Sequence, residues 1–287
     1  MQPLAHLIYL LLRTKYGPII GCARPLGSCR AERPRAGIGK TVRGAGVDRR
    51  TSVRAVMNVQ SLFAVPLVTA QWPASASLNP QLRELFLRRE AEGGRWRNRA
   101  PTMDIPPGLF ESSFDLFAWP EPGVQALHDF CIGVLLRTVA ELNAYTMEDM
   151  RNLEMQNHCW FHITRRHGRF DAHNHPMASW SGVYCVASGR HDPDQPDSGI
   201  LHFQNPHQHA NLFLDQGNGR LLPAFSPNGR SLQLQAGQLV LFPSWLFHEV
   251  RPFHGDGERI TVAFNCWFRP RHASSGRLGT QPLPLHG

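Results

Sequence analysis

The chain has no C-x-x-C pair, no long apolar run and almost no acid in its first 56 residues. Its six cysteines (Cys22, Cys29, Cys131, Cys159, Cys185 and Cys266) form neither a zinc ribbon nor a disulfide framework. They read as buried free thiols of a reducing, cytoplasmic setting. The longest apolar run, Leu7 to Leu12, is far short of the roughly 20 residues that span a bilayer, so no membrane partner is expected. Arg13 and Lys15 follow that run instead of preceding it, which excludes a secretory signal.

The shortage of acid is local. Residues 1–56 hold eleven Lys/Arg against only Glu32 and Asp48, whereas the rest of the chain holds nineteen basic and twenty acidic side chains. The overall net charge of +8 therefore resides in the leader. The near-neutral body offers no electrostatic footprint for phosphate backbones, and nucleic acid is not expected as a partner. The leader itself carries no sustained helical or strand period. It reads as a transit peptide, as a nucleic-acid tail, or, preferred, as an over-extended reading frame with Met57 as the working start.

What is present is an ordinary globular composition, 42% hydrophobic and 9% aromatic over 287 residues, which suffices for one large core. Leu62–Thr69 reads as a first strand. Asn79 and Pro80 read as the cap and first turn of a helix with Leu82, Leu85 and Phe86 on one face, ended by Gly93-Gly94. A second helix is expected over Gly123–Asn143 and a short third over Met147–Gln156. From Cys159 the period becomes 2. Strands are expected over Cys159–Thr164, Trp180–Ala187, Gly199–Gln204, Ser231–Gln235, Gln238–Phe242, Phe247–Val250 and Ile260–Phe268, separated by Gly, Pro, Asn and Asp clusters. There is no internal repeat. Short strands with turns between them indicate a β-sandwich or barrel with two or three flanking helices.

Chemistry concentrates between Arg169 and Asn265. In His173-Asn-His175 a one-residue spacer on an extended strand turns both imidazoles to one face, as two ligands of one ion require. His248, preceded by Gly237-x5-Pro243, completes a set of three that leaves coordination positions open. Among fifteen histidines, an H-x-H pair taken alone more often describes surface residues than a metal site. Arg259 follows eleven residues after His248. On its strand Arg259, Thr261, Ala263 and Asn265 share one face, and Ile260, Val262 and Phe264 the other. An inward arginine needs an anionic partner, and a carboxylate ligand suits a guanidinium bidentately, with Thr261 adding a hydroxyl. The alternative is a surface Arg259 paired with Glu258 or Asp256. Trp245 and Tyr184 are either pocket or packing aromatics.

His173-Asn-His-Pro176, Trp180-Ser-Gly-Val-Tyr-Cys-Val186, Leu239-Val-Leu-Phe-Pro-Ser-Trp-Leu-Phe-His248-Glu-Val-Arg-Pro252 and Gly255-Asp-Gly-Glu-Arg-Ile-Thr-Val-Ala-Phe-Asn265 together resemble the bacterial 2-oxoglutarate–Fe(II) oxygenases. The resemblance covers about Met57 to Phe268 and is strongest from Trp160. It implies a mainly β, double-stranded β-helix (jelly-roll) fold. It also implies Fe(II) on His173, His175 and His248, 2-oxoglutarate as cosubstrate on Arg259 and Thr261, and O2 as the oxidant. The implied activity is that of a dioxygenase that oxidises a small-molecule or protein substrate and releases succinate and CO2. The expected organisation is a leader (1–56), an N-terminal strand with supporting helices (57–157), a catalytic core (158–270) and a disordered tail (271–287). Two departures stand out. The wider superfamily has Asp or Glu where His175 stands, which makes Asp171 a candidate third ligand, and Asn205-Pro206-His207 replaces Asp-Pro-Arg. The alternatives are a cupin-type metalloenzyme without 2-oxoglutarate, or a non-enzymatic jelly-roll binding module. Neither accounts for an inward Arg259.

Overall fold

The structure, a computed structural model, describes residues 58–101, 103–190, 192–207 and 213–271. The leader, Cys22 and Cys29, and the tail beyond Arg271 lie outside the described residues. Arg271 itself is anchored, its backbone N–H donating to the Asn152 carbonyl at 2.7 Å. The chain divides into two compact units, Met1–Leu62 and Phe63–Gly287. All the described strands and helices belong to the second.

Among the described residues, ten strands form two antiparallel sheets. They are β1 (Val68–Gln71), β2 (Leu109–Glu111), β3 (Leu153–Thr164), β4 (Phe170–His173), β5 (Trp180–Ala187), β6 (Leu201–Phe203), β7 (Arg230–Leu232), β8 (Gln238–Pro243), β9 (His248–Val250) and β10 (Arg259–Pro270). The major sheet runs β1-β8-β5-β10-β3-β2 and the minor sheet β4-β9-β6-β7. From β3 onward the chain moves between the sheets, with β6–β7 as the one hairpin kept within a sheet. This is the winding of a double-stranded β-helix. Gly237 turns into β8 at φ +86°, a conformation that a side chain would strain.

Side-chain alternation gives the major sheet two different faces. The outer face carries Cys159, Phe161, Ile163, Tyr184, Val186, Leu239, Leu241, Ile260, Val262 and Phe264 into one apolar core. Two helices close that core: α1 (Ser75–Ala91) and α2 (Pro122–Leu142), with a short α3 (Met147–Arg151) after them. Phe86 of α1 stacks on Phe161 with ring centroids 4.3 Å apart. A second, smaller core lies between the sheets, where Cys185, Val240 and Phe242 meet Leu201 and Phe203.

Several boundaries differ from the sequence expectation. The first strand begins at Val68, not Leu62. Helix α1 begins at Ser75, and Asn79 is not its cap. Asn79 is buried, donates its amide to the Val186 carbonyl at 2.9 Å and accepts the Tyr184 hydroxyl at 2.6 Å. Tertiary contact, not local capping, explains it. Helix α3 is real, with a Thr146/Asp149 capping box, but it ends at Arg151. Residues 153–156 are strand because they pair with residues 267–270 of β10. Strand β2 was not anticipated. The four described cysteines are free and buried, as expected.

Candidate metal centre

Three histidines meet on and just beyond strands β4 and β9 of the minor sheet. His173 of β4 and His248 of β9 are direct cross-strand partners. His175 lies just beyond β4, where its backbone N–H donates to the Ser244 carbonyl at 2.8 Å. Strand alternation alone therefore does not align the pair. A register shift between Phe170 and His173 re-aims β4, and the β8–β9 turn pins the chain just after it. The ring centroids are 4.4 to 5.2 Å apart. One ligand atom from each residue lies within 4.8 Å of the others, close enough to hold a metal ion.

The hydrogen bonds orient the ligands. His173 Nδ1–H donates to the Asp171 carbonyl at 2.7 Å, and His248 Nδ1–H donates to the Leu246 carbonyl at 2.9 Å. Both leave Nε2 with its lone pair free for a metal. Burial lowers all three pKa values, to about 4 at His175 and about 3 at His248, with the neighbouring imidazoles adding to the effect at His175 and His248. The imidazoles are thus neutral at pH 7, the form that ligates. Asp171 takes no part in the cluster through its side chain. Its carboxylate is exposed and pairs with Arg169 at 3.1 Å.

Arg259 opens β10 deep between the sheets and is 2% exposed. Its Nη2 is buried without a hydrogen-bond partner, and burial depresses its pKa. The pairings with Glu258 and Asp256 do not form. Glu258 holds Arg83 at 2.7 Å and Asp256 lies by Arg166. Gly199, at φ +65°, lets the Arg259 stem pass, since a Cβ there would meet Arg259 Cδ at 3.2 Å. Directly across β3 stands Thr164, whose buried hydroxyl also lacks a partner. Thr261 is buried on the same face, opposite His162 and Cys185. A buried cation with an unpartnered donor atom suits an anion.

Residues 158–265 match the family model described as "Putative 2OG-Fe(II) oxygenase". Over that stretch the chain is similar to the 2OG-Fe(II) oxygenases. A search of the curated proteins finds no match. Solved structures similar to this chain include a prolyl-4-hydroxylase of Pseudomonas putida, 21% identical with a TM-score of 0.44, covering 72% of this chain and 94% of that one. AviO1 of Streptomyces viridochromogenes Tue57 is 16% identical with a TM-score of 0.48, covering 71% and 90%. HygX of Streptomyces hygroscopicus, solved with nickel, 2-oxoglutarate and hygromycin B, is 13% identical with a TM-score of 0.47, covering 75% and 86%.

The inner face also holds residues that the sequence did not single out. His162 lies on the inner face between the histidine cluster and Arg259, its ring 4.3 Å from that of Phe170. Its Nε2 is 3.0 Å from Glu111 Oε2 and 2.9 Å from the Trp160 indole nitrogen. One nitrogen cannot donate to the carboxylate and accept from the indole together. The carboxylate is the stronger acceptor, so Nε2–H donates to Glu111. Trp160, His162 and Thr164 alternate with Cys159, Phe161 and Ile163. That period was the signal available for placing them beside Arg259. Tyr184 is packing, with its ring in the outer core. Trp245 is half exposed at the β8–β9 turn and borders a surface groove with Val65, Pro66 and Trp180.

Proposed function

We propose that this chain is an Fe(II)- and 2-oxoglutarate-dependent dioxygenase, in which His173, His175 and His248 hold the iron and Arg259 with Thr261 holds the distal carboxylate of 2-oxoglutarate. The observation that carries this reading is the buried, unpaired Arg259 on the same inner face that the histidine cluster opens onto. The donor set fits the group: three neutral imidazoles would hold an ion and leave further coordination positions to exchangeable ligands. When bound, iron supplies the oxidative chemistry that couples release of succinate and CO2 to oxidation of a substrate C–H bond.

The chain's own residues do the rest. Asp171 and Leu246 carbonyls fix the His173 and His248 rings. Arg259 neutralises and orients the cosubstrate, and Thr261 donates its hydroxyl to it. Phe203, Phe242 and Leu246 are buried in one apolar cluster, with the Phe203 and Phe242 rings against His248, and exclude water from that side of the site. The substrate is a small molecule or a protein side chain. The four buried, unpaired thiols support a cytoplasmic setting. No helix among the described residues is long and apolar enough to cross a membrane.

The test is succinate formation from 2-oxoglutarate by the full chain with Fe(II), with and without O2, beside Arg259→Ala. Turnover that needs O2 and is lost in the variant is the expected result. Stoichiometric iron without any effect of 2-oxoglutarate would indicate a cupin-type enzyme. Absence of iron would leave only a binding module.

A further inference from the structure

The occupied site has a charge problem that its ligands do not solve. A divalent metal on three neutral imidazoles keeps both its positive charges, and Arg259 adds a third. A 2-oxoglutarate dianion cancels two. One uncompensated positive charge remains between the sheets, where desolvation makes it expensive. A negative charge is therefore required nearby, from a group that does not itself ligate.

Glu111 has the right place and chemistry. Of the carboxylates in ion pairs among the described residues it is the least exposed, at 12% of its side chain. It lies on β2, opposite His162 of β3, so its side chain shares the inner face with Trp160, His162 and Thr164. One oxygen meets His162 and the other accepts the Asn98 amide at 2.7 Å. His162 packs on Phe170, which leads along β4 to His173. Burial alone would raise the Glu111 carboxyl, but the His162 and Asn98 hydrogen bonds hold it below its ordinary value, and its field reaches His173. It is therefore ionised at neutral pH. Asp171, the other acid near the cluster, is 73% exposed and spent on Arg169.

We propose that Glu111, positioned by His162 and Asn98, is the counter-charge of the three-histidine metal site, supplying from beside it the negative charge that no ligand provides. The proposal rests on the metal site described under Proposed function. It makes Glu111 a positioning and electrostatic residue, not a ligand, and it gives metal and cosubstrate opposite responses to its removal.

The test uses Glu111→Gln, which keeps size and hydrogen-bonding capacity but removes the charge. Mn(II) affinity of the full chain is measured by calorimetry, and 2-oxoglutarate affinity is then measured on the Mn(II)-saturated protein. Mn(II) binding is expected to weaken by about 10- to 100-fold. 2-Oxoglutarate, itself an anion, is expected to bind the loaded variant as tightly as the parent or more tightly. Structural damage would weaken both together. In a His175→Asp background, where a ligand supplies the charge directly, the Glu111→Gln effect on Mn(II) is expected to shrink. Unchanged Mn(II) affinity in Glu111→Gln, joint loss of both ligands, or full additivity with His175→Asp overturns the proposal. If the parent binds Mn(II) but not 2-oxoglutarate, the dioxygenase reading fails while the Mn(II) arm still decides the role of Glu111.

Discussion

The two faces of the major sheet are made by the same strands and differ in almost everything else. On β3, Cys159, Phe161 and Ile163 point under the helices, and Trp160, His162 and Thr164 point between the sheets. On β10, Ile260, Val262 and Phe264 do the first, and Arg259 and Thr261 the second. The outer face is apolar and closely packed. The inner face holds a buried arginine and a buried hydroxyl, each with an atom lacking a hydrogen-bond partner. On β3 and β10 the helix-covered apolar core thus falls on one parity of residues and the buried polar groups on the other, so a shift of one residue separates two kinds of mutant.

The comparison can be broken most severely at the cluster. His248→Ala should weaken iron binding by more than the ~100-fold seen when a residue that merely orients a ligand is removed, read by metal analysis after dialysis. The outer face should respond in stability instead. Phe161→Ala opens a cavity beneath Phe86 and Phe110 and should lower the unfolding free energy by about 3–5 kcal/mol. Circular-dichroism melts check this, and metal affinity of the folded protein should be retained. Arg259→Met should show the reverse pattern. It replaces an unpaired buried charge with an apolar chain of similar length, so ligand-free protein should gain about 1–4 kcal/mol while 2-oxoglutarate binding is lost. A lower melting temperature in that variant would mean that the inner face contributes to folding as the outer one does.

The mildest effect is that of acid. His175 and His248 have folded pKa values near 4 and 3, below the ordinary 6.5. The unfolded chain therefore binds protons first as pH falls. Stability of metal-free protein should be constant above about pH 6.5. It should decline by at most ~1.4 kcal/mol per pH unit per histidine down to those folded values. Denaturant titrations across pH 7 to 5 measure the slope, and His175→Gln should reduce it.

The sandwich-or-barrel class and the strand Trp180–Ala187 were legible because their apolar alternation and flanking turns are local signals, while the jelly roll followed only from the family resemblance. Arg259 was legible for the same reason, by counting parity from Ile260 and Val262. What local pattern could not reach depended on distant partners. Asn79 beside Pro80 looks like a helix cap, yet its amide is used by Tyr184 and Val186 of β5. Residues 153–156 follow a helix with a good cap, yet pair with β10. His162 and Thr164 were passed over because polar residues on a strand look solvent-facing until a second sheet is known to cover them. Glu111 sat in a stretch with no periodicity at all.

One feature of the minor sheet reaches beyond catalysis. Strand β4 is short, lies at the sheet edge, and meets β9 across a register shift with His173 opposite His248. An ion held there would fasten that edge to a strand far along the chain, closing a long loop much as a crosslink does. Loading with metal would then tighten that edge of the sheet. Amide-exchange protection around Phe170–His173 would report how far a cofactor serves as the clasp of its own container.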